Sequence, residues 1–203
     1  MKIKRIKKIM IISMMFVASL VGIYHYYNNV HMENLENENA DIFIKETVNG
    51  SKKGEKEEKK SKANKVINYI AVLEIPKIKL KKGLVSPSSS DNNVGKNITI
   101  LNPASMPDDD NHTFVLAAHS GSSKVAYFDD LNKLSNSDLI YVYYKNAKYI
   151  YKIKDNYSEK KTGSIIIQKD SNESVIVLTS CSKSNKRQLI YIGKLIGKEV
   201  YSA

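Results

Sequence analysis

Three side chains in this sequence could act together on a carbonyl: one thiol, one imidazole and one guanidinium. Cys181 is the only cysteine among 203 residues, and it closes the run Val175-Ile-Val-Leu-Thr-Ser-Cys181. Arg187 stands six residues further on, one of only two arginines in a chain with 32 basic residues. A lone cysteine is more often a small buried hydrophobe than a nucleophile. Here an apolar strand gives way to the polar turn Ser-Lys-Ser-Asn-Lys at the thiol, which leaves the sulfur partly exposed. A neighbouring cation favours the thiolate, the form that attacks carbonyls. Arginine adds a planar, permanently charged fork of donors that lysine cannot mimic.

Of the four histidines, His25 and His31 flank an apolar N-terminal stretch and His112 lies in an acidic loop. Only His119 ends a buried-strand pattern, Thr113-Phe-Val-Leu-Ala-Ala118, and it is followed by Ser120 and Gly121. His119, Cys181 and Arg187 thus all sit at strand ends, where functional groups are mounted on a rigid scaffold. The order His, Cys, Arg differs from that of papain-like enzymes, in which the cysteine comes first. Taken by themselves, the residues leave open a second reading, a membrane-tethered binding module whose lone cysteine is structural.

The elements that must position these groups are short strands. Tyr69–Ile75, stopped by Pro76, reads as the first, and Ile78–Val85, kinked at Gly83, as the second. Asn97–Leu101 and Thr113–Ala118 follow, separated by a loop of prolines and acids at 102–111. Lys124–Leu134 places Val125, Phe128, Leu131 and Leu134 three apart and reads as a short amphipathic helix. Leu139–Tyr144 and Lys148–Lys154 form a hairpin across Lys145-Asn-Ala. A long polar stretch, 156–174, holds one apolar patch at Ile165-Ile-Ile. The strand leading to Cys181 and a last one, Gln188–Leu195, complete roughly eight, the pattern of a β-barrel or sandwich.

Ahead of this lies a different kind of chain. Ile9–Tyr24 carries no charge, and sixteen to nineteen helical residues at about 1.5 Å each reach roughly 24–28 Å. Tyr24, Tyr26 and Tyr27 sit where rings favour the headgroup region. Five positive charges precede it, placing the N-terminus in the cytoplasm, and no clear small-residue cleavage site follows. The expected organisation is a basic tail and transmembrane anchor at 1–28, a flexible charged linker at 29–66 and a folded domain at 67–203. Residues 31–66 hold eight acidic and eight basic side chains, too polar to offset the entropy of ordering them. The formal charge of +11 divides into +5 in residues 1–8 and +6 spread over 67–203. That spread lacks the clustering of a nucleic-acid groove, so no nucleic-acid partner is expected.

At these residues the chain resembles the sortases of Gram-positive bacteria. The likeness rests on Leu-Ala-Ala-His119-Ser-Gly, on Leu178-Thr-Ser-Cys181 against the family's Thr-Leu-x-Thr-Cys, and on Arg187 opening the next strand. It covers about 68–197, and the anchor and tether in front match as well. Val177 stands where the family has Thr, and Ser180 replaces the Thr before the cysteine. The resemblance implies a mainly β fold, an eight-stranded sortase-type β-barrel with one or two short helices behind an N-terminal transmembrane helix.

It also implies an activity. Cys181 would attack the threonine carbonyl of an LPxTG-like sorting signal near the C-terminus of a secreted protein. Arg187 would donate to the substrate and the developing oxyanion. His119 would protonate the leaving glycine amine and then take a proton from the incoming one, an amine of a peptidoglycan precursor. Ala118, Thr179, Ser180 and the stretch 155–174 would line the peptide groove. The catalytic domain would stand outside the cell on a single-pass anchor. No cofactor or metal is expected; the carboxylates a calcium ion could use, Asp108, Asp109, Asp110, Asp129 and Asp130, read better as solvated loop acids.

Among subclasses, the absence of an Asp-Pro-aromatic lid motif in 31–68 and of an apolar C-terminal segment points away from the pilus-building type. The short stretch between Lys154 and Val175 points away from class B. A class A- or D-like wall-anchoring role is therefore expected, with a class B or pilus-type enzyme of different signal or acceptor as the alternative.

Overall fold

The computed structural model describes residues 2–49, 68–102, 105–181 and 187–201. The chain divides into two compact units, 1–39 and 40–203. The first is the greater part of a single helix, α1 (Lys2–Asn49), whose stretch Met10–Val48 is long and apolar enough to cross a membrane. Its large apolar side chains, Met10 to Tyr27, are exposed, as a face meant for lipid would be.

The second unit holds eight strands: β1 (Tyr69–Ile75), β2 (Leu80–Val85), β3 (Thr99–Ile100), β4 (Thr113–Ala117), β5 (Leu139–Tyr144), β6 (Ala147–Lys160), β7 (Val175–Cys181) and β8 (Arg187–Val200). They form one sheet in the order β2-β1-β5-β6-β8-β7-β4-β3. Asn97, just before β3, donates from Nδ2 to the Gly83 carbonyl of β2 at 3.2 Å, so the two ends of the sheet approach and the barrel nearly closes. This is the expected eight-stranded barrel.

Period-two alternation sorts the side chains into two sets. Ala71, Leu73, Ile75, Phe114, Leu116, Ile140, Val142, Tyr151, Ile153, Ile176 and Leu178 fill the interior. Val115, Val175, Val177, Ile190 and Ile192 form a second apolar layer on the opposite face of β4, β7 and β8, covered in part by Ile165 and Ile167. Among the described pairings β4 and β7 run parallel while every other pair is antiparallel. That parallel pair requires a long crossover, and it brings two strands distant in sequence to end side by side.

Three expectations are corrected in detail. Residues 29–49, read as part of a flexible linker, are helical. The reason is a stripe at helical spacing, Ala40, Phe43, Ile44 and Thr47, of which the first three pack with Val72, Tyr141 and Tyr143 while Thr47 is 6 % exposed. Asp41 adds an ion pair to Lys81 of β2 at 2.6 Å. Residues 50–66 of the expected linker lie outside the described residues. Lys124–Leu134 is a succession of turns ending in one 3-10 turn, Leu131–Lys133, not an α-helix. Apolar residues three apart match the three-residue turn of a 3-10 helix, and Phe128, Leu131 and Leu134 are buried as expected. Finally, β6 runs to Lys160 rather than Lys154, because a register shift between Ile153 and Asp155 breaks the alternation by which its end was read.

Candidate active site

The floor of the site is the paired end of β4 and β7. Ala117 lies opposite Thr179 in the parallel ladder. The pairing continues past the last strand residue of β4: the Ala118 amide donates to the Thr179 carbonyl at 3.3 Å, and the Ser120 hydroxyl donates to the Cys181 carbonyl. His119 sits between these two bonds, two residues past Ala117, as Cys181 sits two past Thr179. By strand alternation both side chains emerge on the face that carries Val115, Val175 and Val177. His119 is exposed and the Cys181 thiol is free and half-buried, so both are reachable.

The turn after His119 is held from behind. The Phe128 amide donates to the His119 carbonyl at 3.0 Å, and Phe128 itself is fully buried in the barrel interior. The Gly121 amide donates to Asp129 Oδ1 at 2.6 Å. Gly121 has φ +117°, a backbone state that side chains with a Cβ rarely adopt, which explains a glycine directly after His119-Ser120. The histidine thus stands on a turn fixed at both ends, the arrangement a proton-transfer group needs.

Arg187 opens β8, whose next residue Gln188 pairs with Cys181. The guanidinium reaches across β8 to β6: Nε donates to Ser158 Oγ at 3.0 Å, and a terminal nitrogen donates to the Ser158 carbonyl. These two bonds use the fork geometry peculiar to arginine. The expected turn at 182–186 lies outside the described residues.

The residues expected to line a groove divide by strand face. Thr179 shares the Cys181 face; its hydroxyl donates to the Leu189 carbonyl at 3.1 Å and accepts from Gln188 Nε2 at 2.9 Å. Ala118 and Ser180 alternate to the other side and are corrected accordingly. Ala118 packs in the barrel interior, and Ser180, 5 % exposed, donates its hydroxyl to the Ala118 carbonyl at 2.8 Å. That bond clamps the two strand ends together. In the stretch 155–174, Ile165 and Ile167 lie on the same apolar face as Val177 and Ile190, and Tyr157 donates its hydroxyl to the Ile166 carbonyl. Glu173 pins the far end of the stretch, accepting from Lys154 and from Lys194 at 2.9 Å.

The loop acids have other work. Asp108 accepts from Lys145 at 2.6 Å, Asp109 from the Met106 amide at 2.7 Å, Asp129 from the Gly121 amide and Asp130 from Lys133 at 2.8 Å. Among the described residues no group of three or more His, Cys, Asp or Glu could hold a metal ion. His112 is a structural histidine: its Nδ1 donates to the Asp109 carbonyl at 2.9 Å, so Nε2 accepts from the Tyr151 hydroxyl at 2.7 Å. Burial holds its pKa below the ordinary value.

Residue reasoning missed Ser158 and Gln188. Ser158 was hidden by the bulge in β6. Gln188 was legible, since 188, 190 and 192 alternate in step and Ile190 and Ile192 belong to the outer apolar layer.

The sequence pattern described as a sortase domain matches residues 73–196. No protein of curated function matches the sequence. Among solved structures, sortase C of Streptococcus pneumoniae superposes with a TM-score of 0.56 at 24 % identity, over 68 % of this chain and 74 % of that one. Sortase A from Corynebacterium diphtheriae gives 0.57 at 19 %, over 64 % and 61 %, so less than two thirds of that protein is spanned. A sortase D5 transpeptidase of Clostridium perfringens gives 0.59 at 22 %, over 81 % and 99 %. These three are sortases C, A and D, so the likeness selects a fold and not a class.

Proposed function

The chain belongs to the sortase family of cysteine transpeptidases, and on that premise we propose that it cleaves an LPxTG-like sorting signal between Thr and Gly and passes the acyl group to a peptidoglycan amine. The observation that carries this reading is the parallel β4–β7 pair: Cys181 ends β7, and His119 follows the last residue of β4 by two. Cys181 attacks as the thiolate; the carbonyl becomes tetrahedral, and its collapse breaks the amide while His119 gives a proton to the departing glycine amine. The thioester that remains splits one difficult exchange into two easier steps. An incoming amine then loses its proton to His119 as it displaces the Cys181 sulfur.

The resemblance gives Arg187 the role of oxyanion donor; here Ser158 holds its guanidinium at the β6–β8 border, on the face opposite Cys181, so in this proposal the side chain leaves that contact when substrate binds. A single N-terminal helix holds the enzyme in the membrane, and five positive charges ahead of that helix keep its start cytoplasmic. The domain beyond residue 67 is then extracellular, where secreted proteins with a C-terminal sorting signal and the wall precursor both arrive. The class A- or D-like wall-anchoring role is retained within this proposal. The reaction as written uses no cofactor.

The test is a peptide-library cleavage assay with the full chain in detergent. Cleavage between Thr and Gly, with transfer to an added oligoglycine amine, supports the proposal. A chain that cleaves no library member contradicts it.

A further inference from the structure

Directly opposite Cys181, on the same sheet face, is the polar side chain of Gln188. The two residues are direct partners in the antiparallel β7–β8 ladder, which sets their Cβ atoms about 4.5–5.5 Å apart on one face. Arg187, one residue earlier, is turned toward β6 and Ser158. The start of β8 therefore sends its cation one way and its amide the other.

The orientation of that amide is determined by its neighbours. The Leu189 carbonyl can only accept, so Thr179 spends its hydroxyl hydrogen there. The Thr179 oxygen must then accept, and Gln188 has to present nitrogen rather than oxygen to it, at 2.9 Å. This leaves the Gln188 carbonyl oxygen and one N–H uncommitted among the described residues. Gln188 is half-buried, so these groups are accessible. On the same face Val115, Val177 and Ile190 are buried, with Ile165 and Ile167 packed against them, so beside Cys181 the accessible polar groups of this face on β8 are those of Gln188.

A peptide brought to Cys181 needs partners for its backbone N–H and C=O as it loses water there. A held carboxamide offers one acceptor and one donor, the complement of a peptide unit. We infer that Gln188 is a substrate-binding residue, whose carboxamide hydrogen-bonds a backbone amide of the bound peptide beside the scissile bond. The contact is with backbone and is neutral, so it sets the position of the peptide without selecting the charge of its side chains. This inference rests on the transpeptidase reading above.

The experiment compares wild type, Gln188→Met and Gln188→Leu as full chains in detergent. The probe is a set of internally quenched peptides containing Leu-Pro-x-Thr-Gly, and iodoacetamide reports on the thiol. Losing one or two neutral hydrogen bonds raises KM by about three- to tenfold each, with kcat changed less than about threefold. The rate of Cys181 alkylation and the melting temperature stay at wild-type values. Methionine keeps the length of the side chain, so it tests the contact even if leucine disturbs packing. Thr179→Val, which removes the anchor of the amide, raises KM in the same direction. Unchanged KM in a folded Gln188→Met enzyme overturns the inference alone, and so does a KM effect matched by an equal fall in alkylation rate. A wild type that cleaves none of the peptides overturns the transpeptidase reading, and the inference with it.

Discussion

The Ser120 hydroxyl donates to the carbonyl oxygen of Cys181, tying the turn after β4 to the last residue of β7. Through that bond the side chain next to the histidine holds the backbone of the cysteine, Ser120 and Cys181 being 61 positions apart in sequence. Ser120→Ala removes the bond at a cost of about 0.5–1.5 kcal/mol. The larger effect is on geometry: kcat falls while KM is nearly unchanged, because a loosened turn misplaces His119 for proton transfer. Steady-state kinetics beside a thermal melt separate the two effects. Gly121→Ala, forced into φ +117°, costs about 1–3 kcal/mol and lowers the melting temperature more than Ser120→Ala does.

Arg187→Lys should lose about a hundredfold or more in kcat/KM, the usual consequence of deleting a preorganised donor to an oxyanion. Lysine keeps the charge but cannot make the two-pronged contact with Ser158 that fixes the side chain. Its circular dichroism should match wild type, with a melting temperature lowered only by the loss of the Ser158 contact. Wild-type turnover in that variant would remove Arg187 from the reaction.

His112 makes the fold sensitive to mild acid. Burial lowers its pKa below the ordinary 6.5, so folded protein resists protonation that the unfolded chain accepts. The His112 contribution is therefore fully present above pH 6.5 and is lost as pH falls from there toward the lowered folded value. The slope in that window is at most about 1.4 kcal/mol per pH unit. Denaturant titrations at a series of pH values should show it in wild type and show a shallower slope in His112→Gln. Equal slopes would mean that His112 is not the group responsible.

Glu173 acts at lower pH. Hydrogen bonds from Lys154 and then Lys194 pull its carboxyl down to about 2. A depressed carboxylate contributes stability above its unfolded value of 4.5 and loses it as pH falls from 4.5 toward about 2. Glu173→Gln should flatten stability over that range. It should also free the end of the 161–174 stretch, which limited proteolysis would detect as faster cutting there than in wild type.

Much of this could be read from the chain, and the failures have specific causes. β1 and β5 have the expected bounds because Pro76 stops one and the Lys145-Asn146 turn stops the other, both residues of the turn having positive φ. His119 and Cys181 were legible as strand-end groups, since buried apolar runs lead directly to each. Their adjacency was not, because a parallel pairing between strands about sixty residues apart leaves no local trace. Ala118 and Ser180 were placed beside the site by proximity in sequence, whereas alternation turns them into the barrel. The helix through 29–49 was missed because its buried stripe, Ala40 to Thr47, is too short to stand out among charged neighbours.

The central claim is that Cys181 is acylated by a sorting signal. Full-length enzyme is mixed with a Leu-Pro-x-Thr-Gly peptide, quenched in acid and weighed intact by mass spectrometry, beside Cys181→Ala. The account predicts an adduct equal to the peptide up to its threonine, on Cys181, lost on adding hydroxylamine and absent from the variant. Peptide cleavage that persists in Cys181→Ala, or an adduct on any other residue, would contradict it.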